Sequence, residues 1–355
     1  MSHHHDKTII AISIGDYNGI GLEVILKTFA DNRIFKDFSA IIYGSSKLVN
    51  FTRKNLALNE LQFQIINQPE EAKNNNLYVI NCIDEEINVN YGESTPHAGK
   101  NAVASIKKAC EDLKSGKVHA LITAPINKHN IQSPEFSFPG HTEYLQETFQ
   151  CKDVLMILFH QQLRIATLTG HIPVDQIAKQ ITAEKLNSKI KLFLDSLTQD
   201  FGIRKPRLAV LGLNPHAGDE GVIGTEERKI IAPVIEKWRE EGHLVYGPYS
   251  ADGFFGSLQY KTFDGILGMY HDQSLIPFKT MAFGEGVNFT AGLPIVRTSP
   301  DHGTAFDIAG KNVADPSSFR SAVYEAIDIL QRRKLYAEIS KNPLKSNLQR
   351  LEADT

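Results

Sequence analysis

Short apolar runs alternate with amphipathic stretches along almost all of the 355-residue chain, the pattern of an α/β fold with a largely parallel sheet. Residues 8–14, 38–43, 77–82, 118–123, 207–213 and 263–269 read as buried strands. A glycine-rich turn follows the first of them, and a helix is expected from about Gly21. Another helix is predicted over 98–115, where Val103, Ile106, Cys110 and Leu113 recur on one face and Gly116 can close the last turn. A second long helix is predicted from a Thr182 cap to Phe201. Leu186, Ile190, Phe193, Leu197 and Phe201 form its buried stripe, and Gly202 its stop. The polar tail 342–355 is expected to fray.

Length and composition narrow the class. A chain of 355 residues exceeds one ordinary core, so two domains or a discontinuous pair are expected. With 42% hydrophobic and 22% charged residues the composition is globular, and a net charge of −3 gives no reason to expect nucleic acid or a membrane surface as partner. No apolar run approaches the roughly 20 residues that span a bilayer, and the polar start with its short apolar run 9–14 is not a signal peptide. Cys82, Cys110 and Cys151 include no close pair, which fits a reducing compartment and argues against a disulfide framework or thiolate zinc cluster. A cytoplasmic enzyme is therefore expected. His3, His4 and His5 are left out of the site.

Four segments place histidine just after an apolar strand or among Gly and Pro. They are Phe138-Pro-Gly-His141-Thr142-Glu143, Leu168-Thr-Gly-His171, Gly212-Leu-Asn214-Pro-His216-Ala-Gly218 and Met269-Tyr-His271-Asp272-Gln273. One histidine alone is more often structural than functional. Several at strand ends, where α/β sheets gather ligands, point to a site. Imidazole suits zinc and related ions, magnesium prefers oxygen, and three histidines with open positions make a catalytic metal geometry. Spacing does not choose among the four, and no helical His-Glu-x-x-His is present. Lys128, Lys279 and Arg297 lie near the same loops. A lysine is usually surface charge, but Asn288 and Arg297 flank the apolar stretch Thr290-Ala-Gly-Leu-Pro-Ile-Val. A guanidinium emerging there suits carboxylate or phosphate. Gly15-Asp-Tyr-Asn-Gly19-Ile-Gly21 follows the first strand without satisfying Gly-x-Gly-x-x-Gly, so a tight turn and a ligand contact explain it equally well.

Gly-His141-Thr-Glu, Asn214-Pro-His-Ala-Gly, Ile223-Gly-Thr-Glu-Glu227, Tyr270-His-Asp-Gln273 and Thr298-Ser-Pro-Asp-His-Gly-Thr304 occur in that order. Together they resemble the 4-hydroxythreonine-4-phosphate dehydrogenase family of the pyridoxal phosphate pathway, over about residues 10–329. The stretch His302-Gly-Thr-Ala-Phe-Asp307-Ile-Ala-Gly-Lys311 is similar to the adenosine-binding loop of isopropylmalate and isocitrate dehydrogenases, which lack the Rossmann fingerprint. The resemblance implies two α/β domains of that type with the active-site cleft between them. Residues 1–135 with 302–355 would form one discontinuous domain, and 136–301 a central domain carrying metal ligands and dimer contacts.

By the same resemblance the metal ligands are His171, His216 and His271. The substrate contacts are His141, Thr142, Lys279, Asn288 and Arg297, and the cofactor contacts His302, Gly303, Thr304 and Asp307. The family is homodimeric with its site at the subunit interface, so the three ligands need not come from one chain. The implied reaction is NAD- or NADP-dependent oxidation of 4-phosphooxy-L-threonine at its C3 hydroxyl, then decarboxylation to 3-amino-2-oxopropyl phosphate, in vitamin B6 biosynthesis. The alternative is the same chemistry on a phosphorylated four-carbon sugar acid of the 4-phospho-threonate or erythronate type. Imidazole ligands favour zinc, with cobalt, manganese or magnesium as alternatives. Asp252 and Lys279 are the candidate general bases. Two departures from the family pattern stand out. Tyr17 and Asn18 replace Pro and Ala in the first loop, and Ser274 replaces the Gly after Tyr-His-Asp-Gln.

Overall fold

The computed structural model describes residues 7–83, 86–134 and 136–342; His3, His4, His5 and the tail beyond residue 342 lie outside them. The chain begins with β1 (Thr8–Ser13), α1 (Gly21–Phe29), β2 (Phe38–Gly44), α2 (Ser46–Asn55), β3 (Gln64–Ile66), β4 (Leu77–Asn81), α3 (Pro96–Lys114) and β5 (Ala120–Thr123). It continues with α4 (His141–Thr148), β6 (Leu155–His160), β7 (Leu163–Thr167), α5 (Ile177–Gln180), α6 (Ala183–Gln199) and β8 (Arg207–Leu211). Then come α7 (Ala232–Glu240), β9 (Leu244–Tyr249), α8 (Ala251–Gly256), β10 (Gly265–Gly268) and α9 (His271–Ala282). Strands β11 (Val287–Ala291) and β12 (Val296–Pro300) precede the long helix α10 (Ser317–Ile339).

The twelve strands among the described residues share one sheet, ordered β3-β4-β2-β1-β5-β12-β11-β6-β7-β10-β8-β9. Pairing is parallel except at three central junctions, β12–β11, β11–β6 and β6–β7. The outer blocks, β3 to β12 and β7 to β9, therefore run in opposite directions, and the central strands stand where direction reverses. Loops following strands of both blocks meet over that centre, the crevice where α/β sheets bind ligands. Apolar periodicity locates strands but carries no direction, so the antiparallel centre was not legible from it.

The two expected long helices form, α6 at the expected Thr182 cap and α3 from Pro96, slightly ahead of the expected start at 98. Thr182 Oγ1 accepts the Lys185 N–H at 3.2 Å, opening α6. Leu186, Ile190, Phe193 and Leu197 are fully buried along it, each worth about 1.5–3 kcal/mol relative to exposure. Thr95 Oγ1 caps α3 through the Ala98 N–H, with Pro96 in its first turn. No helix among the described residues is long and apolar enough to cross a membrane.

Candidate active site

A cavity of about 340 Å³ lies on one face of the central strands. Its floor comes from alternate residues of neighbouring strands, Met156 and Leu158 of β6, Asn288 of β11, and Arg297 and Ser299 of β12. The loop after β5 contributes Ala124 to Ile126 and Lys128, α4 contributes His141, and α9 contributes His271, Leu275 and Lys279. His171, from the loop after β7, and Asp301 to Gly303, from the loop after β12, complete the rim.

One end of the cavity is strongly cationic. Arg297 is only 3% exposed. Its Nη2 and Nε donate to Thr123 Oγ1 at 2.7 and 3.2 Å, and its Nη1 to Thr290 Oγ1 at 3.1 Å. No carboxylate among the described residues pairs with it, and burial pushes its pKa down to about 10. Its Nη2 also donates to His141 Nδ1 at 3.4 Å, so the neutral His141 ring carries its proton on Nε2. Burial first, then the charges of Arg297 and Lys128, hold His141 well below the ordinary histidine pKa. That Nε2–H is shut from solvent and has no acceptor, and the buried Asn288 Oδ1 likewise has no partner. His141 and Thr142 open α4, where the free helix N–H groups also favour an anion.

Lys279 also lines the cavity, its Nζ 3.9 Å from Asp301 Oδ1. Burial raises the Asp301 pKa, with Lys279 opposing. Asp301 was not among the residues singled out from sequence. An acid closing the buried strand Val296–Pro300, directly before His302, was the available signal. The His302 Nδ1 donates to its neighbour Gly303 carbonyl at 3.0 Å, which leaves a buried, unpartnered Nε2 as an acceptor in the same cavity.

The three expected metal ligands do not come together within one chain. His171 and His271 lie side by side, ring centroids 5.4 Å apart. Asp272 Oδ1 accepts from His271 Nδ1 at 2.7 Å, which orients Nε2 as the ligating nitrogen. Burial, then Lys128 and His271, lower the His171 pKa and favour its neutral form. This donor chemistry fits a divalent cation. His216 is exposed, outside the cavity, on a turn whose residues His216 to Glu220 all have positive φ of 44 to 84°. Non-glycine residues in that region each cost roughly 1–2 kcal/mol. Among the described residues no three His, Cys, Asp or Glu side chains are grouped to hold a metal ion. Asp252 is also outside the cavity, on α8 near His216. Hydrogen bonds from the Ser250 hydroxyl and the Gly253 N–H, then the His216 charge, lower its pKa.

Of the remaining expected contacts, Thr142, Thr304 and Asp307 do not line the cavity, although their neighbours His141, His302 and Gly303 do. The Thr304 carbonyl instead accepts the Ile20 N–H at 3.0 Å, joining this loop to the one after β1. Gly15 there has φ 64°, which suits glycine. Asn18 is buried and fully used: its Oδ1 accepts from Asn90 N at 2.9 Å, and its Nδ2 donates to Glu93 O and Thr95 Oγ1 at 3.0 and 3.2 Å. Tyr17, only 1% exposed, reaches His97 Nδ1 at 2.9 Å. The two residues that depart from the family pattern thus tie the first loop to the start of α3. Ser274 is also accommodated, its buried hydroxyl donating to Ala166 O at 3.2 Å.

A family model described as "Pyridoxal phosphate biosynthetic protein PdxA" matches residues 36–326. The 4-hydroxythreonine-4-phosphate dehydrogenase of Bacteroides thetaiotaomicron is 51% identical over 96% of this chain and 93% of its own length. The D-threonate 4-phosphate dehydrogenase of Pectobacterium atrosepticum is 37% identical over 90% of this chain and 99% of its own. The solved 4-hydroxythreonine-4-phosphate dehydrogenase of Klebsiella pneumoniae superposes with a TM-score of 0.79 at 35% identity, covering 93% of this chain and 100% of that one. Isocitrate dehydrogenase from Methylococcus capsulatus, 11% identical, has a TM-score of 0.51 over 94% of this chain and 89% of its own, a likeness of fold.

Proposed function

The chain belongs to the PdxA family of pyridoxal phosphate biosynthetic proteins, and from that premise we propose that it oxidises 4-phosphooxy-L-threonine with NAD and decarboxylates the product. The carrying observation is the anion end of the cavity. Arg297 is buried without a carboxylate, beside an unsatisfied His141 Nε2–H and Asn288 Oδ1. A phosphate or carboxylate supplies the negative charge and the acceptor that Arg297 and the His141 Nε2–H lack, while a substrate hydroxyl or amine can donate to Asn288 Oδ1.

Each residue then has a task. Arg297, His141 and the α4 N-terminus with Thr142 hold one anionic end, and Lys279 with Asn288 orients the rest, fixing the reacting carbon. Asp301 keeps Lys279 directed into the cavity. His302, Gly303, Thr304 and Asp307 form the nicotinamide-cofactor side, NAD or NADP, where the acceptor on His302 Nε2 faces inward. His171 and His271 would hold a divalent cation, zinc by ligand type, with cobalt, manganese or magnesium as substitutes. When bound, such an ion would supply Lewis acidity to the substrate hydroxyl and to the carbonyl formed from it.

His216 then comes from a second copy in a homodimer. Exposed apolar groups support that reading, with Ile276, Met281 and Phe283 on or beside α9, and Val222 and Ile223 beside the His216 turn. Asp252, near His216, would arrive with it, whereas Lys279 belongs to the cavity's own chain. The two candidate bases are therefore carried on different subunits.

The test is direct. Purified protein with NAD, zinc and 4-phosphooxy-L-threonine should yield NADH, carbon dioxide and 3-amino-2-oxopropyl phosphate. The second reading, a phosphorylated four-carbon sugar acid as substrate, is supported by the similarity to the Pectobacterium enzyme. Initial rates on the two compounds separate them, and failure to reduce NAD or NADP with either sinks both.

A further inference from the structure

The motif Ile223-Gly-Thr-Glu-Glu227 has no task in the scheme above, yet its last residue is a buried carboxylate, 4% exposed. Glu227 opens a π-helical turn, Glu227–Ile231, ahead of α7. Its Oε1 accepts the Asn214 N–H at 2.7 Å and its Oε2 accepts from Asn214 Nδ2 at 2.9 Å. Asn214 stands immediately before the left-handed turn that carries His216. The far side of that turn presses on the same carboxylate, since a Cβ placed on Gly218 would sit 2.6 Å from Glu227 Oε2. Gly218, with φ 84°, is the one glycine among the five left-handed residues 216–220. Its neighbours His216, Ala217, Asp219 and Glu220 hold a conformation that non-glycine residues rarely adopt. Such a turn persists only where its surroundings over-determine it, and these outliers gather at functional sites.

We propose that Glu227 is the positioning residue of His216: its carboxylate clamps Asn214 and Gly218 and so keeps the left-handed turn in the shape that presents the imidazole for ligation. The inference rests on the reading of His216 as a metal ligand. It also explains why an acid is needed at 227. Both oxygens accept from Asn214 donors, whereas a glutamine of the same shape would set an amide N–H against one of them.

The experiment uses the apo protein and cobalt(II) as probe, with affinity from chelator competition and ligand number from the visible spectrum. Expected for Glu227→Gln is a loss of roughly 10- to 100-fold in cobalt affinity, the range for outer-shell partners. The spectrum should shift toward that of His216→Ala, with near-ultraviolet circular dichroism and inorganic phosphate binding unchanged. Gly218→Ala, which crowds the same oxygen, should act in the same direction. Cobalt affinity within about twofold of wild type in folded Glu227→Gln overturns the proposal, because an outer-shell ligand partner should cost more. If Glu227→Gln does not fold, Asn214→Ala puts the same question from the other partner. Collapse of both variants also overturns it, since Glu227 would then support the fold at large. A wild-type protein that binds no cobalt instead refutes the metal reading itself.

Discussion

The anion end of the cavity and the imidazole set are built in opposite ways. Arg297 is buried, His141 and Asn288 are half-buried with Nε2 and Oδ1 shut from solvent and unpartnered, and all three are fixed by β5, β11, β12 and α4 of a single chain. The imidazoles are exposed or at the rim, and only two of the three expected ligands meet, at 5.4 Å between ring centroids. Charge recognition is therefore preorganised within one subunit, while the proposed metal centre waits on a second. A buried guanidinium needs a rigid, desolvated cradle, which strands supply. A ligand carried on a surface turn can be lent across an interface.

Substitutions can break this contrast. The largest effect is expected for His171→Ala, which removes half of the imidazole pair. If the cation supplies several kcal/mol of transition-state stabilisation, kcat should fall roughly a thousandfold or more, with phosphate binding retained by calorimetry. Near-normal turnover in metal-free buffer would remove the metal from the scheme. Arg297→Met should cut kcat/KM by about 100-fold, the value of one or two charge-assisted hydrogen bonds. Because an unpaired buried charge is replaced by an apolar chain of similar length, Tm should not fall. A lower Tm would show that Arg297 serves the fold.

Mixed dimers sharpen the comparison further. Random mixing of Arg297→Met and His216→Ala chains should restore about a quarter of wild-type activity, because half the dimers then carry one intact site of two. No recovery on mixing would place His216 and Arg297 of the same chain in one site.

Acid titration gives a smaller effect. In the unfolded chain His141 takes its proton near the ordinary 6.5, but in the fold only well below it. Between those values the unfolded state binds more protons. The contribution of His141 is thus full above that range and is lost as pH falls through 6.5. His171 and His302 shift in the same direction. Tm should drop between about pH 7.5 and 5.5, and His141→Gln should reduce the drop without abolishing it. Smallest is Tyr17→Phe, which loses the His97 contact for about 1 kcal/mol of stability or less by denaturant titration, leaving phosphate affinity untouched.

Much of this was legible in the chain. Thr182 announces its helix, the apolar face of 98–115 marks another, and the apolar runs ending at the histidine loops mark strands that do form. What escaped has a physical reason in each case. Apolar periodicity is blind to strand direction, so the antiparallel pairing of β6, β7 and β11 left no trace in it. Sequence order cannot tell which histidine loops meet in space; the resemblance allowed for ligands from two chains, and the fold of one chain brings together His171 and His271 but leaves His216 outside the cavity. Asp301 looked like one polar residue in a motif rich in them. Only its burial 3.9 Å from Lys279 sets it apart. Tyr17 and Asn18 were visible as departures, but their partners, His97, Asn90, Glu93 and Thr95, lie more than 70 residues away.

The placement of β12 also sets a timetable for synthesis. Strand β5 pairs with β1 on one side and with β12 on the other, and β12 is translated roughly 170 residues later. At about 5–20 residues per second, the growing chain carries an open apolar strand edge for roughly 10–35 s. An edge of that kind invites pairing with other nascent chains. Yield on expression should therefore depend on temperature and chaperone supply more steeply than the equilibrium stability of the finished sheet would suggest.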